Sequence, residues 1–173
     1  MADNLFEPEV MRGLKRLADW GRRDRSLAIE CKRVMTPYLP FDKVREHQIE
    51  GLLNFTKRPL PKKLSVPAAY GKSRFQVRQE FDFVLIPPGN AFLLVNFRFT
   101  KKSPRKDLPT GLNRAFAITP QQYIAVRAEL QAQGRASIPI EWFVENAIEL
   151  ERVRFRREDG VLEYGWNLIP LLS

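Results

Sequence analysis

The chain has 173 residues, 44% hydrophobic and 28% charged, which is the profile of a single globular domain able to bury a real core. No apolar run approaches a membrane span, and the opening MADNLFEPEV lacks the basic and apolar stretches of a secretory signal, so no membrane and a cytoplasmic location are expected. The single cysteine, Cys31, excludes an internal disulfide and a cysteine zinc site, while a net charge of +9 points to a polyanion partner, nucleic acid ahead of an acidic membrane surface.

Glu9 to Ala18 reads as a helix, because Val10, Leu14, Leu17 and Ala18 fall at i, i+4, i+7 and i+8. Pro8 suits its first turn, and Glu7 and Glu9 suit its positive end. Charge compensation is the plainer role for these two glutamates; the sharper one is that either leans into a site formed further along. Asp19 to Arg25, DWGRRDR, has a glycine and three arginines and reads as a turn.

Leu27 to Val34 reads as a strand. Alternation puts Ala28, Glu30 and Lys32 on one side and Leu27, Ile29 and Cys31 on the other. A carboxylate and an amine therefore stand side by side, backed by core. Alone, such a pair is most often a surface ion pair worth ~0–1 kcal/mol. Asp19 lies eleven residues before Glu30, which leaves room for a strand, a tight turn and a return strand that would set the two carboxylates together. Asp24, the other candidate for a second metal ligand, is six residues before Glu30 and falls in the turn, where an arginine is its more natural partner.

A proline-interrupted loop follows, and Asp42 after Pro40 and Phe41 is the expected N-cap of the next helix. Val44, Gln48 and Leu52 then line one face. A glutamine on that face must find a partner or cost about 1–3 kcal/mol. Two partners are open: backbone at the core edge, or a water or metal-bound oxygen at the end of the strand. His47, the only histidine, reads as a structural hydrogen-bonding residue rather than a ligand or base.

From about residue 56 to 79 the pattern breaks. Pro59, Pro61, Pro67 and Gly71 are mixed with Lys57, Arg58, Lys62, Lys63, Lys72, Arg74 and Arg78, and Tyr70 and Phe75 are interleaved. Prolines and spread charge argue against a packed element. The segment is either a solvated linker or a nucleic-acid arm, with cations on phosphates and aromatics for stacking; the overall charge favours the arm.

Phe81 to Ile86 and Ala91 to Phe99 are β-rich runs around the turn signal PPGN. The run FLLV is continuous rather than alternating, as in a central strand buried on both faces. Lys101 to Lys106 is a second basic loop. Arg114 to Ile118 reads as a strand. A helix capped by Thr119, with Pro120 in its first turn, runs to about Gln131 and is ended by Gly134. Ser137 to Ala147 reads as a short turn and helix, and segments around Val153 to Phe155 and Tyr164 to Leu172 close the chain. No internal repeat and no second domain is seen.

Taken in order, IECK at 29–32, LPF at 39–41, HQIEGL at 47–52, FLLVNF at 92–97, AFAITPQQY at 115–123 and GRASIP at 134–139 resemble the RecU-type Holliday junction resolvases of the PD-(D/E)xK nuclease superfamily. The resemblance implies an α/β fold, a mixed central β-sheet flanked by helices, restriction-endonuclease-like. It also implies a homodimer that cuts four-way DNA junctions with magnesium, for which manganese can substitute. Carried over by motif, Glu30 is a metal ligand, Lys32 orients or activates the attacking water, Gln48 is the helix glutamine near the metal, and Asp19 is the preceding carboxylate. The chain departs from that pattern in three ways. The segment before the strand is short, no proline precedes Asp19, and Pro59 to Arg78 is extra. That extra segment, with Lys57, Arg58, Lys62, Lys63, Lys72 and Arg74, stands as the DNA-binding element. Two other classes remain open: a non-catalytic nucleic-acid-binding protein on a nuclease fold, and another nuclease of the same superfamily acting on duplex DNA.

Overall fold

The computed structural model describes residues 8–12, 26–64, 82–99, 111–156 and 160–172. At its centre is strand β5 (Asn90–Arg98), whose residues Ala91 to Phe97 are all buried. The apolar run is unbroken because both faces of this strand are covered. On one side β5 pairs in parallel with β1 (Leu27–Val34) and on the other antiparallel with β6 (Asn113–Ile118), which in turn pairs antiparallel with β8 (Ile148–Leu150). The sheet order is β1-β5-β6-β8.

One face of the sheet carries Leu93, Val95, Phe97, Phe116 and Ile118. Against it lie helices α2 (Glu46–Lys57), α3 (Pro120–Ala132) and α4 (Ile140–Asn146), which contribute Ile49, Leu52, Phe55, Tyr123, Val126, Leu130 and Phe143. Phe97, Phe116 and Phe143 meet there, with the Phe97 ring edge-on to Phe143 at 5.2 Å and to Phe116 at 5.9 Å. The opposite face, with Phe92, Leu94, Ala115 and Ala117, is closed by Val10 of the helical residues 8–12 (α1), by Leu150 and Trp166, and by Leu168, Leu171 and Leu172 around a final 3₁₀ turn (Ile169–Leu172). The expected α/β architecture, a mixed central sheet flanked by helices, is therefore present. None of the described helices is long and apolar enough to cross a membrane.

Strand β1 alternates as its sequence requires. Ala28 packs with the helix-side core, whereas Leu27, Ile29 and Cys31 pack with the other. Glu30 and Lys32 thus leave the sheet on the side of α2. Among the described residues β1 is an edge of the sheet; the strand expected at Asp19, to which β1 would be the return, lies outside them.

Two motifs far apart in sequence meet in a small antiparallel ladder. Strand β2 (Tyr38–Pro40) pairs with β7 (Ser137–Pro139), joining Leu39 to Ile138. Both side chains are fully buried. Helix α3 has the cap its sequence announces: the Thr119 hydroxyl accepts the Gln122 N–H, and the Gln122 side chain accepts the Thr119 N–H at 2.9 Å. Gly134 follows at φ 73°, a left-handed value that costs glycine little. At the end of the helix-bearing face, beside the Phe116 ring, Arg114 makes two 2.6 Å bonds to Glu149, tying β6 to β8. This hydrogen bonding holds the Glu149 carboxyl below its ordinary value.

Three elements differ from expectation. Helix α2 begins at Glu46 with Arg45 as its N-cap, not at Asp42. Residues Phe41–Lys43 make a lone 3₁₀ turn, because Val44 turns to extended dihedrals (φ −113°, ψ 104°) with its side chain buried. Part of the proline-rich segment expected as a loop is a strand, β3 (Leu60–Leu64), paired antiparallel with β4 (Asp82–Ile86). A two-stranded ribbon has a free edge on each strand, where the missing proline N–H is tolerated. The end of the chain forms a second ribbon, β9 (Arg152–Arg156) with β10 (Leu162–Trp166).

Gly89 sets how closely β1 and β5 start together. The Asn90 N–H donates to the Ser26 carbonyl at 3.1 Å, and a Cβ on Gly89 would lie 2.0 Å from that same oxygen. Gly89→Ala is expected to cost about 1–3 kcal/mol, the usual penalty of overpacking, read as a lowered urea midpoint. An unchanged midpoint would show that the two strand ends can part freely.

Candidate functional site

Glu30 and Lys32 sit two apart on β1, opposite Leu93 and Val95 of β5. The Lys32 stem folds back along the strand, and its Nζ lies 2.8 Å from Glu30 Oε1. Gln48, in the first turn of α2, closes the group. Its Nε2 donates to Glu30 Oε1 at 2.7 Å, and its Oε1 accepts from Lys32 Nζ at 2.9 Å. The same Gln48 Oε1 accepts the Arg45 N–H at 3.1 Å.

Gln48 therefore has two functions. It caps the amino end of α2, one half of a capping box, and it clamps the acid and the base of β1. Of the partners expected for this glutamine, the backbone one is present, as the Arg45 N–H; at the strand its partners are the Glu30 and Lys32 side chains themselves. The Lys32 side chain is 16% exposed and that of Glu30 28%, so the pair is neither buried nor free in solvent. The carboxylate lies by the first turn of a helix, where unpaired N–H groups favour negative charge.

Chemically, the cluster offers a carboxylate whose two described bonds both fall on Oε1, with an ammonium group touching it. Among the described residues, no three His, Cys, Asp or Glu side chains gather as a metal site. Asp19, Asp24 and Glu7 lie outside the described residues. Glu9 does not lean towards Glu30: it is 4% exposed and its Oε1 pairs with Arg152 Nη2 at 2.5 Å, on the ribbon β9–β10. The His47 side chain is exposed, and no side-chain hydrogen bond to it is seen among the described residues, so the structural bonding role expected for it is not seen.

Of the expected DNA-binding residues, Lys57 and Arg58 are exposed at the carboxyl end of α2. Lys62 and Lys63 fall on β3, and Lys72 and Arg74 lie outside the described residues. The structure thus brings together Glu30, Lys32 and Gln48. The role of Arg45 was not legible in advance, because its contribution is a backbone N–H and arginine is not a preferred cap. Set against protein-family models, curated proteins and solved structures, the chain matches none.

Proposed function

We propose that the protein is a divalent-metal-dependent endonuclease acting on branched DNA, a four-way junction resolvase. The observation that carries the reading is the three-way contact of Glu30, Lys32 and Gln48 at the edge of a mixed sheet.

Magnesium prefers oxygen donors and keeps several waters, so one or two carboxylates plus substrate phosphate suffice to hold it. Glu30 suits this donor chemistry, and Asp19 is the second carboxylate in the proposal, with manganese as an alternative ion. When bound, the ion lowers the pKa of a water and offsets charge on the phosphate. Lys32 adds a positive charge beside the carboxylate, where it stabilises the negative charge that builds on phosphate oxygens. Gln48 positions both side chains and is itself fixed by the Arg45 N–H. Substrate affinity comes from the +9 net charge, with Lys57, Arg58, Lys62, Lys63, Lys72 and Arg74 on phosphates. A homodimer supplies one such centre to each of the two strands cut in a symmetric resolution.

The test is incubation of the purified protein with a labelled four-way junction and, in parallel, a linear duplex, each with and without magnesium. Magnesium-dependent cutting of the junction alone is the expected result. Equal cutting of the linear duplex would replace resolution with a duplex-directed nuclease. A second reading is favoured by one observation: Lys32 is already satisfied by Glu30 and Gln48, as in a self-contained polar cluster. On that reading the protein binds nucleic acid without cutting it, and binding with no cleavage of either substrate is its signature.

A further inference from the structure

Ribbon β9–β10 carries an ordered set of charges that the Glu30 cluster does not use. Arg152, Arg154 and Arg156 alternate along β9 and are all exposed, so they leave the same face of the strand. The register sets Tyr164 opposite Arg154 and Leu162 opposite Arg156, which puts Tyr164 on that face too. Its ring is flanked by two guanidinium groups, Arg152 at 4.2 Å and Arg154 at 5.1 Å from the centroid. These contacts keep both long side chains in order, and the fork of Arg154 stays available.

The base of the ribbon is anchored. Arg152 is neutralised by the buried Glu9, and Arg12 Nε donates to the Tyr164 carbonyl at 2.9 Å and approaches Glu163 at 3.9 Å. Further along the ribbon, among the described residues, no carboxylate pairs with Arg154 or Arg156; Glu158 and Asp159 lie outside those residues. Alternate residues of a strand are about 6.8 Å apart. The row thus offers regularly spaced cations to a backbone that carries one charge per nucleotide. A two-stranded ribbon is also narrow enough for the major groove.

We propose that ribbon β9–β10 is a second nucleic-acid contact, in which Arg154 and Arg156 grip the phosphate backbone of a duplex arm and Tyr164 holds the plane of Arg154. The inference rests on the nucleic-acid part of the reading above, not on cleavage. An acidic bilayer is the less suitable polyanion. Among the described residues of the ribbon the large exposed apolar side chains are Val161 and Leu162, less than the broad apolar face that interfacial anchoring uses.

The test is a fluorescence-anisotropy titration of the full chain on a labelled junction and a labelled duplex, over a range of salt concentrations. Cleavage is scored in the same preparations with magnesium. Arg154→Ala/Arg156→Ala is expected to bind about 10–100-fold more weakly at low salt, and to flatten the slope of log K against log salt by about two. Arg154→Lys/Arg156→Lys, which keeps both charges, retains most of that slope. If the double alanine variant melts early, Arg156→Ala alone is used, with an expected slope change of about one. A wild-type slope in the alanine variant overturns the ribbon contact and leaves the nuclease reading intact. Wild-type protein that binds but never cuts overturns the nuclease reading alone, while the slopes still decide the ribbon. Sedimentation with anionic phosphatidylserine vesicles that depends on Arg154 and Arg156, with DNA binding independent of them, assigns the face to a membrane and overturns the proposal.

Discussion

Glu30→Ala is expected to lower magnesium-dependent cleavage of a four-way junction by on the order of a hundredfold or more, the scale of losing one group that stabilises transition-state charge. Junction affinity should change little, because the substitution removes a negative charge from a chain of net +9 and touches no expected phosphate contact. The fold should survive. With the carboxylate gone, Lys32 keeps its 2.9 Å bond to Gln48 Oε1, and Gln48 Nε2 sits in a half-exposed position where water can replace the lost acceptor. Glu30→Gln is the sharper variant, because its amide oxygen can still accept from Lys32 and Gln48. An inactive Glu30→Gln that melts like wild type would assign the effect to charge rather than to packing. Lys32→Ala should lose a similar factor. Gln48→Ala acts through the other two and should lose on the order of 10–100-fold, with a higher magnesium concentration needed for half-maximal rate. It should also weaken the start of α2 by about 1 kcal/mol, because the Arg45 N–H loses its acceptor. Single-turnover cleavage alongside thermal melts separates these effects. Cutting at the wild-type rate by Glu30→Ala or Lys32→Ala would remove the pair from the mechanism.

The largest loss of stability is expected from Phe97→Ala. Phe97 is completely buried and joins β5 to Phe116 of β6 and Phe143 of α4 through edge-on ring contacts. Emptying such a site costs about 3–5 kcal/mol, because the neighbours collapse only in part. That is a large share of the roughly 5–15 kcal/mol that holds an ordinary domain together. For a chain of this size it corresponds to a fall in Tm of roughly 6–20 °C. Arg58→Ala, at an exposed position, should stay within about 0.5 kcal/mol. A loss below about 1 kcal/mol for Phe97→Ala would mean that α4 settles into the space, and calorimetry on the two variants would show it.

What could be seen in advance was whatever depends on neighbours in sequence. The alternation of β1 placed Glu30 and Lys32 together, the unbroken FLLV run marked a strand covered on both sides, and Thr119 with Pro120 marked the start of α3. Gln48 stood out as a polar residue on an apolar face, although neither of its partners on β1 could be named from periodicity. What could not be seen depends on partners distant in sequence. Proline and lysine in Leu60–Leu64 lower strand propensity, and pairing with β4 overrides it. The start of α2 was misplaced because Asp42 is the better capping residue by type, yet the burial of Phe41 and Val44 holds the chain out of helical geometry there. Ribbon β9–β10 was not read from the sequence, and the buried Glu9 that anchors Arg152 is 143 residues away.

The parallel partnership of β1 and β5 has a bearing on how the molecule is made. Each residue of β1 is matched with one 63 positions later, as Ile29 is with Phe92, so no local hairpin can form this pair. On a ribosome, the strand that bears Glu30 and Lys32 must wait, unpaired and half apolar, until β5 has emerged, which at ~5–20 residues per second takes several seconds. A strand that waits in this way needs protection during synthesis, and a chaperone that shields short apolar stretches would find a target in β1.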